Sequence, residues 1–263
     1  MPTRRPPVKH PRRPSAKPPR RPGKPAAAAP RPVPELVRTA IAALNAKSTA
    51  KDRANLARFG IHAKRALGVS MANVQAIAKR LGRSHELAQA LWDTGVYEAR
   101  MLAAFVDEPE RVTKAQMERW CRDFDNWGIV DTLCFCLFDR APDAWAMVAP
   151  WSEKRDEFGR RAAFALLASL AGHDKSAGDP MFLGGLRLVE RAASDERNFV
   201  KKGVSWAFRR IGGRNAALHA ASLELARRLA GSKDPTERWL GKDALRDLTN
   251  PKTLRRLGSV QKT

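Results

Sequence analysis

The stretch "KRDEFGRRAAFALLASLAG", residues 154–172, decides the fold class of this chain. After its charged opening, apolar residues recur at three- and four-residue spacing, which is the pattern of a helix that packs against other elements. The glycine that closes the stretch is a common helix terminator. The stretch therefore predicts an α-helix with a defined beginning and end.

Stretches of the same kind follow one another from Glu35 almost to the C-terminus. About a dozen are present, bounded by Gly, Pro, Asp or Ser within about 10 to 18 residues, and alternating strand patterns are essentially absent. Simple bundles rarely contain so many short helices, whereas stacked helix pairs do, and such a stack curves around a concave face. We predict an all-α, HEAT-like helical-repeat solenoid over residues 35–263.

Residues 1–34 have a different composition. The segment "RRPPVKHPRRPSAKPPRRPGKPAAAAPRPVP", residues 4–34, holds most of the prolines, ten Lys and Arg residues, and no acid. Such a segment cannot bury enough apolar surface to offset its ordering entropy, so we predict a disordered, polyproline-like arm. Two interpretations stay open: an arm that binds phosphates without reading sequence, or a solvated tail that aids solubility.

The charge of the chain points to a polyanionic partner. The formal net charge is +22 and the isoelectric point is about 11.0, and residues 35–263 still carry +12 without the arm. Nucleic acid and acidic membrane surfaces are the partners that such a surplus favours. No apolar run approaches the roughly 18 residues that a membrane span needs, so we favour nucleic acid and expect no membrane association.

Motif searches leave few chemical options. The chain contains no phosphate-binding loop, no dinucleotide fingerprint and no nucleophile elbow. The five histidines are scattered, and the three cysteines (Cys121, Cys134 and Cys136) lack the paired spacing of a zinc site. We therefore expect no metal site. We also expect reduced, mostly buried thiols, which suit a cytoplasmic protein.

One candidate site lies in "DFDNWGIVDTLCFCLF", residues 123–138. Trp127 and Asp131 are four residues apart and face the same side of the predicted helix, which is otherwise apolar from Val130 to Phe138. A buried acid is costly unless it is paired or hydrogen-bonded. Asp131 is therefore either a structural acid, paired with an arginine of a neighbouring helix or capping its N-terminus, or a functional acid beside an aromatic in a basic cleft.

A second candidate lies in "NFVKKGVSWAFRRIG", residues 198–212. Trp206 projects away from the apolar stripe of this helix and shares its side with Phe199, Lys202 and Arg210. Either this side faces nucleic acid, or Trp206 packs against the next repeat. The remaining tryptophans are predicted to be core residues; they are Trp92, Trp120, Trp145, Trp151 and Trp239.

The motifs "NWGIVD", "GRRAAF" and "VKKGVSWAFRR" resemble, in order and approximate spacing, those of the AlkD-type DNA alkylation repair glycosylases. So do "FGIHAKRALGVSMANVQAIAK" and "LWDTGVYEARMLAAFV" nearer the N-terminus, and the resemblance spans roughly residues 35–250. It implies a HEAT-like superhelix whose concave face cradles duplex DNA. It also implies hydrolysis of the N-glycosidic bond of cationic N3- or N7-alkylpurines without metal or cofactor.

The resemblance also implies roles for residues of this chain. Its catalytic residues fall on Asp131, Trp127 and Trp206. Its helix-borne arginine falls on Arg161, with Arg160 adjacent. The DNA-binding residues that we predict are Arg161, Lys202, Arg209 and Arg210.

These observations predict a monomeric, monofunctional DNA-3-methyladenine/7-methylguanine-type glycosylase that acts on alkylated bases in double-stranded DNA. Asp131 would stabilise an oxocarbenium-like transition state and position water. We expect it in the cytoplasm, at the nucleoid through its DNA. One alternative is a HEAT-like protein that grips DNA or branched structures without cutting. Another is a protein scaffold in which Trp127 and Asp131 are core residues, although a protein-binding groove does not require a body charge of +12.

Overall fold

The structure, a computed structural model, describes residues 31–260. Within this range the regular structure consists of α-helices and two short 3₁₀ helices, Pro109–Arg111 and Phe138–Arg140, without a strand. The α-helices are α1 (Val33–Asn45), α2 (Ala50–Arg58), α3 (Met71–Leu81), α4 (His85–Asp93), α5 (Tyr97–Val106), α6 (Lys114–Arg122), α7 (Trp127–Cys136), α8 (Ala144–Ser152), α9 (Glu157–His173), α10 (Asp179–Arg191), α11 (Asn198–Gly212), α12 (Ala216–Ala230), α13 (Pro235–Leu248) and α14 (Pro251–Val260). The predicted all-α class is confirmed.

Many of these helices begin at a side chain that accepts a hydrogen bond from the first turn. Such a cap satisfies a backbone N–H that has no partner inside the helix, and each contributes about 1 kcal/mol. The capping residues are Thr49, Ser70, Ser84, Thr113, Asn126, Asp156, Asn215 and Asp234. These caps define where the helices begin.

The helices pack in two layers. In one layer α5, α7, α9, α11 and α13 follow one another side by side, each in contact with the next. In the other layer α4, α8, α10 and α12 each pack on the helix that follows in the chain. Successive helix pairs therefore stack as repeats, and the predicted helical-repeat solenoid is confirmed.

Helix α9, which contains most of the stretch at 154–172, lies at the centre of this stack. It packs against α7, α8 and α11, and every residue from Arg161 to Ala171 is buried. Both sides of the helix are therefore covered, as the nearly continuous apolar run requires. This position brings Arg161 next to helices on either side.

The tryptophan predictions hold in part. Trp92 and Trp120 stack at 4.3 Å between ring centroids in the core, and Trp151 is fully buried. Trp145 is half-buried, and its indole N–H donates to Asp174. The prediction was wrong for Trp239, which is 39% exposed and lies beneath the Lys201 ammonium.

Residues 1–30 of the predicted arm at 1–34 lie outside the described residues. At its C-terminal boundary the structure differs slightly, because α1 begins at Val33 with Pro34 in its first turn, where proline is favourable. The three cysteines are free thiols. In the described part of the chain, no helix is long and apolar enough to cross a membrane, and no group of three metal-ligating side chains is assembled.

Candidate active site

Asp131 and Arg161 form a two-pronged ion pair between α7 and α9. Arg161 donates from Nε to Oδ1 of Asp131 at 2.9 Å and from Nη2 to Oδ2 at 2.7 Å. The Arg161 side chain is 7% exposed and that of Asp131 is 23% exposed. A planar guanidinium that meets both carboxylate oxygens fixes the orientation of the acid as well as its position.

Helix α11 holds the other side of Arg161. Nη1 of Arg161 donates to the backbone carbonyl of Phe199 at 2.7 Å. The Arg161 stem also passes close to Gly203, where a β-carbon would lie 3.4 Å from Cγ of Arg161. Three nitrogens of the guanidinium are therefore engaged, and Arg161 joins α7, α9 and α11 at one point.

Trp127 is held at the first turn of α7. The helix is capped by Asn126, whose side chain accepts from the Ile129 N–H at 3.0 Å. The indole Nε1 of Trp127 donates to the carbonyl of Phe59 at 2.9 Å. Phe59 directly follows α2, and Gly60 comes next with φ +69°, a left-handed conformation that suits glycine. The end of α2 therefore fixes the orientation of the indole.

Gly128, the residue after Trp127, lies in close contact with α5. A β-carbon at this position would lie 2.8 Å from Oη of Tyr97 and 3.1 Å from Cδ1 of Ile61. A larger residue would push Tyr97 or α7 away. The glycine therefore lets the first turn of α7, with Trp127, sit tightly against its neighbours.

These residues surround an open pocket of about 430 Å³, which we call the aromatic pocket. It combines three aromatic rings, one carboxylate and three cationic side chains. Its lining residues are Arg58, Phe59, Trp127, Asp131, Arg161, Phe199 and Lys202. Phe59 is 60% exposed, so a large apolar surface faces solvent at the mouth of the pocket.

The Asp131 carboxyl group feels two opposed influences. Burial raises the pKa of Asp131 above its ordinary value, and the charge and hydrogen bonds of Arg161 act to lower it. The net direction is upward. Arg161 thus acts to keep the acid ionised in a site that would otherwise favour its protonated form.

The structure brings together four of the residues predicted from the sequence: Trp127, Asp131, Arg161 and Lys202 all line the aromatic pocket. The two adjacent arginines have different partners, because Arg160 donates to Asp195 at 3.0 Å and not to Asp131. Asp131 pairs with an arginine of a neighbouring helix, as the structural interpretation predicted, and it also lines the aromatic pocket. Its functional role stays a prediction.

The other predicted site residues lie elsewhere. Trp206 is half-buried, packs against the core, and is not among the lining residues of the aromatic pocket. Arg209 donates to Asp243 at 2.5 Å, so a phosphate contact would require that pair to open. Arg210 lines a different pocket, at the ends of α9 and α11. The catalytic role of Trp206 and the DNA contacts of Arg161, Arg209 and Arg210 stay predictions.

Sequence reasoning missed two lining residues, Arg58 and Phe59. It placed Phe199 on the same side of α11 as Trp206, seven residues later, without giving Phe199 a role in the site. Phe59 carried only a weak signal, an aromatic before the glycine that follows α2. Its place opposite Trp127, 68 residues away in sequence, depends on tertiary packing.

Comparison with known proteins gives a match to a family model and matches to solved structures. A family model described as DNA alkylation repair enzyme matches residues 40–248, and comparison with curated proteins finds no significant match. One similar solved structure is described as "a new family of proteins related to the HEAT-like repeat DNA glycosylases with affinity for branched DNA structures". It is 18% identical, covers 84% of this chain and 96% of that chain, and has a TM-score of 0.70. A designed armadillo repeat protein in complex with the peptide (KR)4 is 12% identical, with a TM-score of 0.36 and 87% coverage of both chains.

Proposed function

The chain belongs to the DNA alkylation repair enzyme family, and on that basis we propose that it is a DNA glycosylase for cationic N3- and N7-alkylpurines in duplex DNA. The observation that carries the proposal is the Asp131 carboxylate, held by Arg161 at the wall of the aromatic pocket. Neither a metal nor a cofactor has a role in the proposed reaction.

The proposed reaction needs little from the protein besides a negative charge and water. An alkyl group at N3 or N7 gives the base a positive charge, so the base leaves without a general acid. The remaining sugar resembles an oxocarbenium ion in the transition state, and a nearby carboxylate stabilises such a cation. Asp131 supplies that carboxylate, and its charge favours the transition state more than the intact nucleotide.

Asp131 retains hydrogen-bonding capacity after pairing with Arg161. Each carboxylate oxygen accepts one bond from the guanidinium, and each has further lone-pair capacity. The 23% exposed surface of the side chain leaves room for a water molecule beside it. In this proposal Arg161 is a positioning residue, and Asp131 both faces the anomeric carbon and orients the water that attacks it.

The three aromatic residues of the pocket suit a positively charged nucleotide. Indole and phenyl faces attract cations by about 0.5 to 2 kcal/mol, and more when water is excluded. Trp127 lies on α7, Phe199 lies on α11, and Phe59 directly follows α2. In this proposal the three rings provide the cation-binding surface.

The rim of the pocket suits the DNA backbone. Arg58 and Lys202 are both exposed and lie beside the aromatic rings. Cations in such positions neutralise phosphates and fix the position of a duplex without reading its sequence. We infer that duplex DNA containing the alkylated base is the substrate, bound by one copy of the chain.

One observation favours a second candidate, a DNA-binding protein without glycosylase activity. The bidentate pair with Arg161 offsets part of the negative charge that the transition state would use. The similar solved structure, described as having affinity for branched DNA structures, offers a precedent for binding on this fold. In that case the aromatic pocket would hold an unpaired or junction nucleotide rather than an alkylated one.

The deciding experiment is incubation of the full chain with methylated genomic DNA, followed by mass-spectrometric identification of the released bases. Release of 7-methylguanine and 3-methyladenine, absent with Asp131→Asn, is the expected result. Binding of the same DNA without release of any base would instead support the second candidate. The Lys79→Gln variant, altered at an exposed position of α3, serves as the matched control.

A further inference from the structure

Trp239 is an exposed tryptophan that the proposed reaction does not use. It lies on α13 and is 39% exposed, and the Lys201 ammonium of α11 lies 5.0 Å from the centre of its ring. An exposed indole offers a large, rigid apolar surface, which is typical of a site that contacts another molecule. The cation beside it indicates that this molecule is an anion.

Trp239 points away from the second layer of helices. Gly241, two residues later, packs on α12, because a β-carbon there would lie 2.2 Å from the backbone nitrogen of Ala230. Residues two apart on a helix point about 160° from each other, so Trp239 lies on the opposite side of α13. Lys242 and Arg246, both exposed, follow Trp239 by three and seven residues and share its side. This side of α13 therefore carries an indole and two cations.

Helix α11 connects this side of α13 with the aromatic pocket. Lys201 of α11 reaches Trp239 of α13. Ser205 and Asp243, each four residues further along its helix, are hydrogen-bonded, so the two helices run side by side in the same direction. Lys202 directly follows Lys201 and lines the aromatic pocket. Because packed helices lie about 8 to 10 Å apart, Trp239 is about one helix width from the wall of that pocket.

The polar contacts between α11 and α13 leave this side positively charged. Asp243 accepts from Ser205 and pairs with Arg209, which already joins the two helices. Arg246 pairs with the other oxygen of Asp243, so two arginines offset the charge of this acid. Lys242 makes no hydrogen bond or ion pair with another described residue. Its charge is therefore available to a partner.

Lys201, Trp239 and Lys242 form a surface that we call the α13 platform. Lysines bind phosphates without reading sequence, and a flat aromatic ring packs well against the apolar parts of a nucleotide. We propose that the α13 platform binds the sugar–phosphate backbone of the DNA duplex whose alkylated nucleotide occupies the aromatic pocket. The indole contacts a deoxyribose, and the two lysines bind the phosphates on either side of it. This inference rests on the proposed function only in requiring that duplex DNA lies across the aromatic pocket.

The separation of the two sites fits the repeat of DNA. One helix width of about 10 Å corresponds to about three nucleotide steps of about 3.4 Å each. A strand that leaves the aromatic pocket across α11 therefore reaches α13 after about three nucleotides. The α13 platform fixes the position of the duplex along the stack, while the chemistry occurs at Asp131.

The first test measures the affinity of the full chain for an undamaged fluorescent duplex. Trp239→Ala removes the indole, and a loss of about tenfold is expected, as for other aromatic contacts with nucleotides. Trp239→Phe keeps a flat ring and should recover most of the affinity. The matched control is Met181→Ala, at a residue that is 45% exposed on α10 in the other layer. A loss for Trp239→Ala no larger than that for Met181→Ala overturns the proposal.

The second test removes the charges of the platform and keeps the indole. Lys201→Gln combined with Lys242→Gln should make the slope of log K against log salt less steep by about 1.8, or about 0.9 for each of two phosphates. The control, Arg187→Gln combined with Arg227→Gln, removes two exposed charges from α10 and α12 in the other layer. Equal slopes for the two double variants contradict the proposal. This comparison still decides if thermal unfolding shows that Trp239→Ala is not folded.

The third test locates the contact on the DNA. Duplexes carry a stable abasic-site analogue and one neutral methylphosphonate, placed at successive positions on either side of the analogue. A methylphosphonate about three nucleotides away should weaken binding of the wild-type protein but not of the Lys201→Gln, Lys242→Gln protein. An identical scan for both proteins overturns the inference. It is also overturned if Trp239→Ala binds single-stranded DNA more weakly and duplex DNA normally, because the indole would then stack on unpaired bases.

The α13 platform and the glycosylase function can fail separately. The binding tests use undamaged or abasic duplexes, so their outcome does not depend on base release. If the wild-type protein releases no base while the platform variants bind duplex DNA weakly, the glycosylase function is refuted and the platform stands. If the wild-type protein releases 7-methylguanine and the platform variants bind duplex DNA with full affinity, the platform alone is refuted.

Discussion

Two acids join α7 and the 3₁₀ helix after it to the two ends of α9, and only the part-buried Asp131 lines the aromatic pocket. Asp131 pairs with Arg161 at the start of α9, and Asp139 pairs with His173 at its end. Burial raises the pKa of both acids, and in both the partner side chain acts to lower it. A buried acid with a raised pKa therefore does not by itself mark an active site.

The surroundings of the two acids differ. Asp139 has a fully buried side chain, and the ring of Phe135 packs edge-on against His173 at 4.3 Å between centroids. Asp131 instead faces the aromatic pocket, and its partner is an arginine. Histidine carries its charge only when protonated, whereas arginine stays charged at any physiological pH. Only the Asp131–Arg161 pair combines a permanently charged partner with an acid that solvent can reach.

The largest expected difference between the pairs at the two ends of α9 is in their contribution to the free energy of unfolding. Arg161→Ala leaves Asp131 without its partner in a mostly buried position, and a loss of about 3 to 5 kcal/mol in the free energy of unfolding is expected. His173→Ala is expected to lose about 1 to 3 kcal/mol, because Asp139 can take up a proton in place of the bond. Urea unfolding at pH 7 measures both. Equal losses in the free energy of unfolding would show that the two pairs stabilise the fold to the same extent.

The next largest difference is in base release. Asp131→Asn removes the negative charge that faces the sugar, and the rate of 7-methylguanine release at saturating protein should fall on the order of 10²- to 10³-fold. Duplex affinity should change little, since the acid makes no favourable contact with phosphates. Asp139→Asn is the matched variant and should retain the wild-type rate if it is folded. A rate unchanged by Asp131→Asn would remove Asp131 from the mechanism.

A smaller difference is expected between the aromatic residues beside each acid. Trp127→Leu removes the indole face and its bond to Phe59, and kcat/KM for a cationic lesion should fall by a factor that corresponds to about 1 to 2 kcal/mol. Phe135→Leu, at the Asp139 end, should leave kcat/KM unchanged. If both variants lose the same activity, the effect comes from packing of α7 and not from contact with the nucleotide.

The sequence predicted the parts of this site that depend on helical spacing. Trp127 and Asp131 share one side of α7 because they are four residues apart, and the apolar run of α9 required burial on both sides. Spacing within a helix does not reveal which helix lies opposite. The sequence therefore left open whether Asp131 pairs with an arginine of a neighbouring helix.

The features that the sequence did not predict all depend on contacts between distant segments. Phe59 reaches the pocket because α2 ends against α7, and Trp206 is left out because the pocket closes around the first turn of α11. The pocket lined by Gly172 and Arg210 needs the ends of α9 and α11 to lie side by side. The spacing of Trp206 and Arg210 put them on one side of α11 but could not say what lay in front of each, and Trp206 packs against the core.

The smallest expected effect is a shift in the pH dependence of base release. Protonation removes the charge of Asp131, so the rate should fall as the pH drops through the pKa of this acid, which burial raises above its ordinary value. Arg161→Lys keeps a positive charge but loses the two-pronged bond, so the pKa should rise further and the acid limb should move to higher pH. His173→Gln, at the other end of α9, should leave the limb in place. The shift is measured from rates corrected for spontaneous base loss. If Arg161→Lys leaves the acid limb of the pH–rate profile in place, a group other than Asp131 titrates.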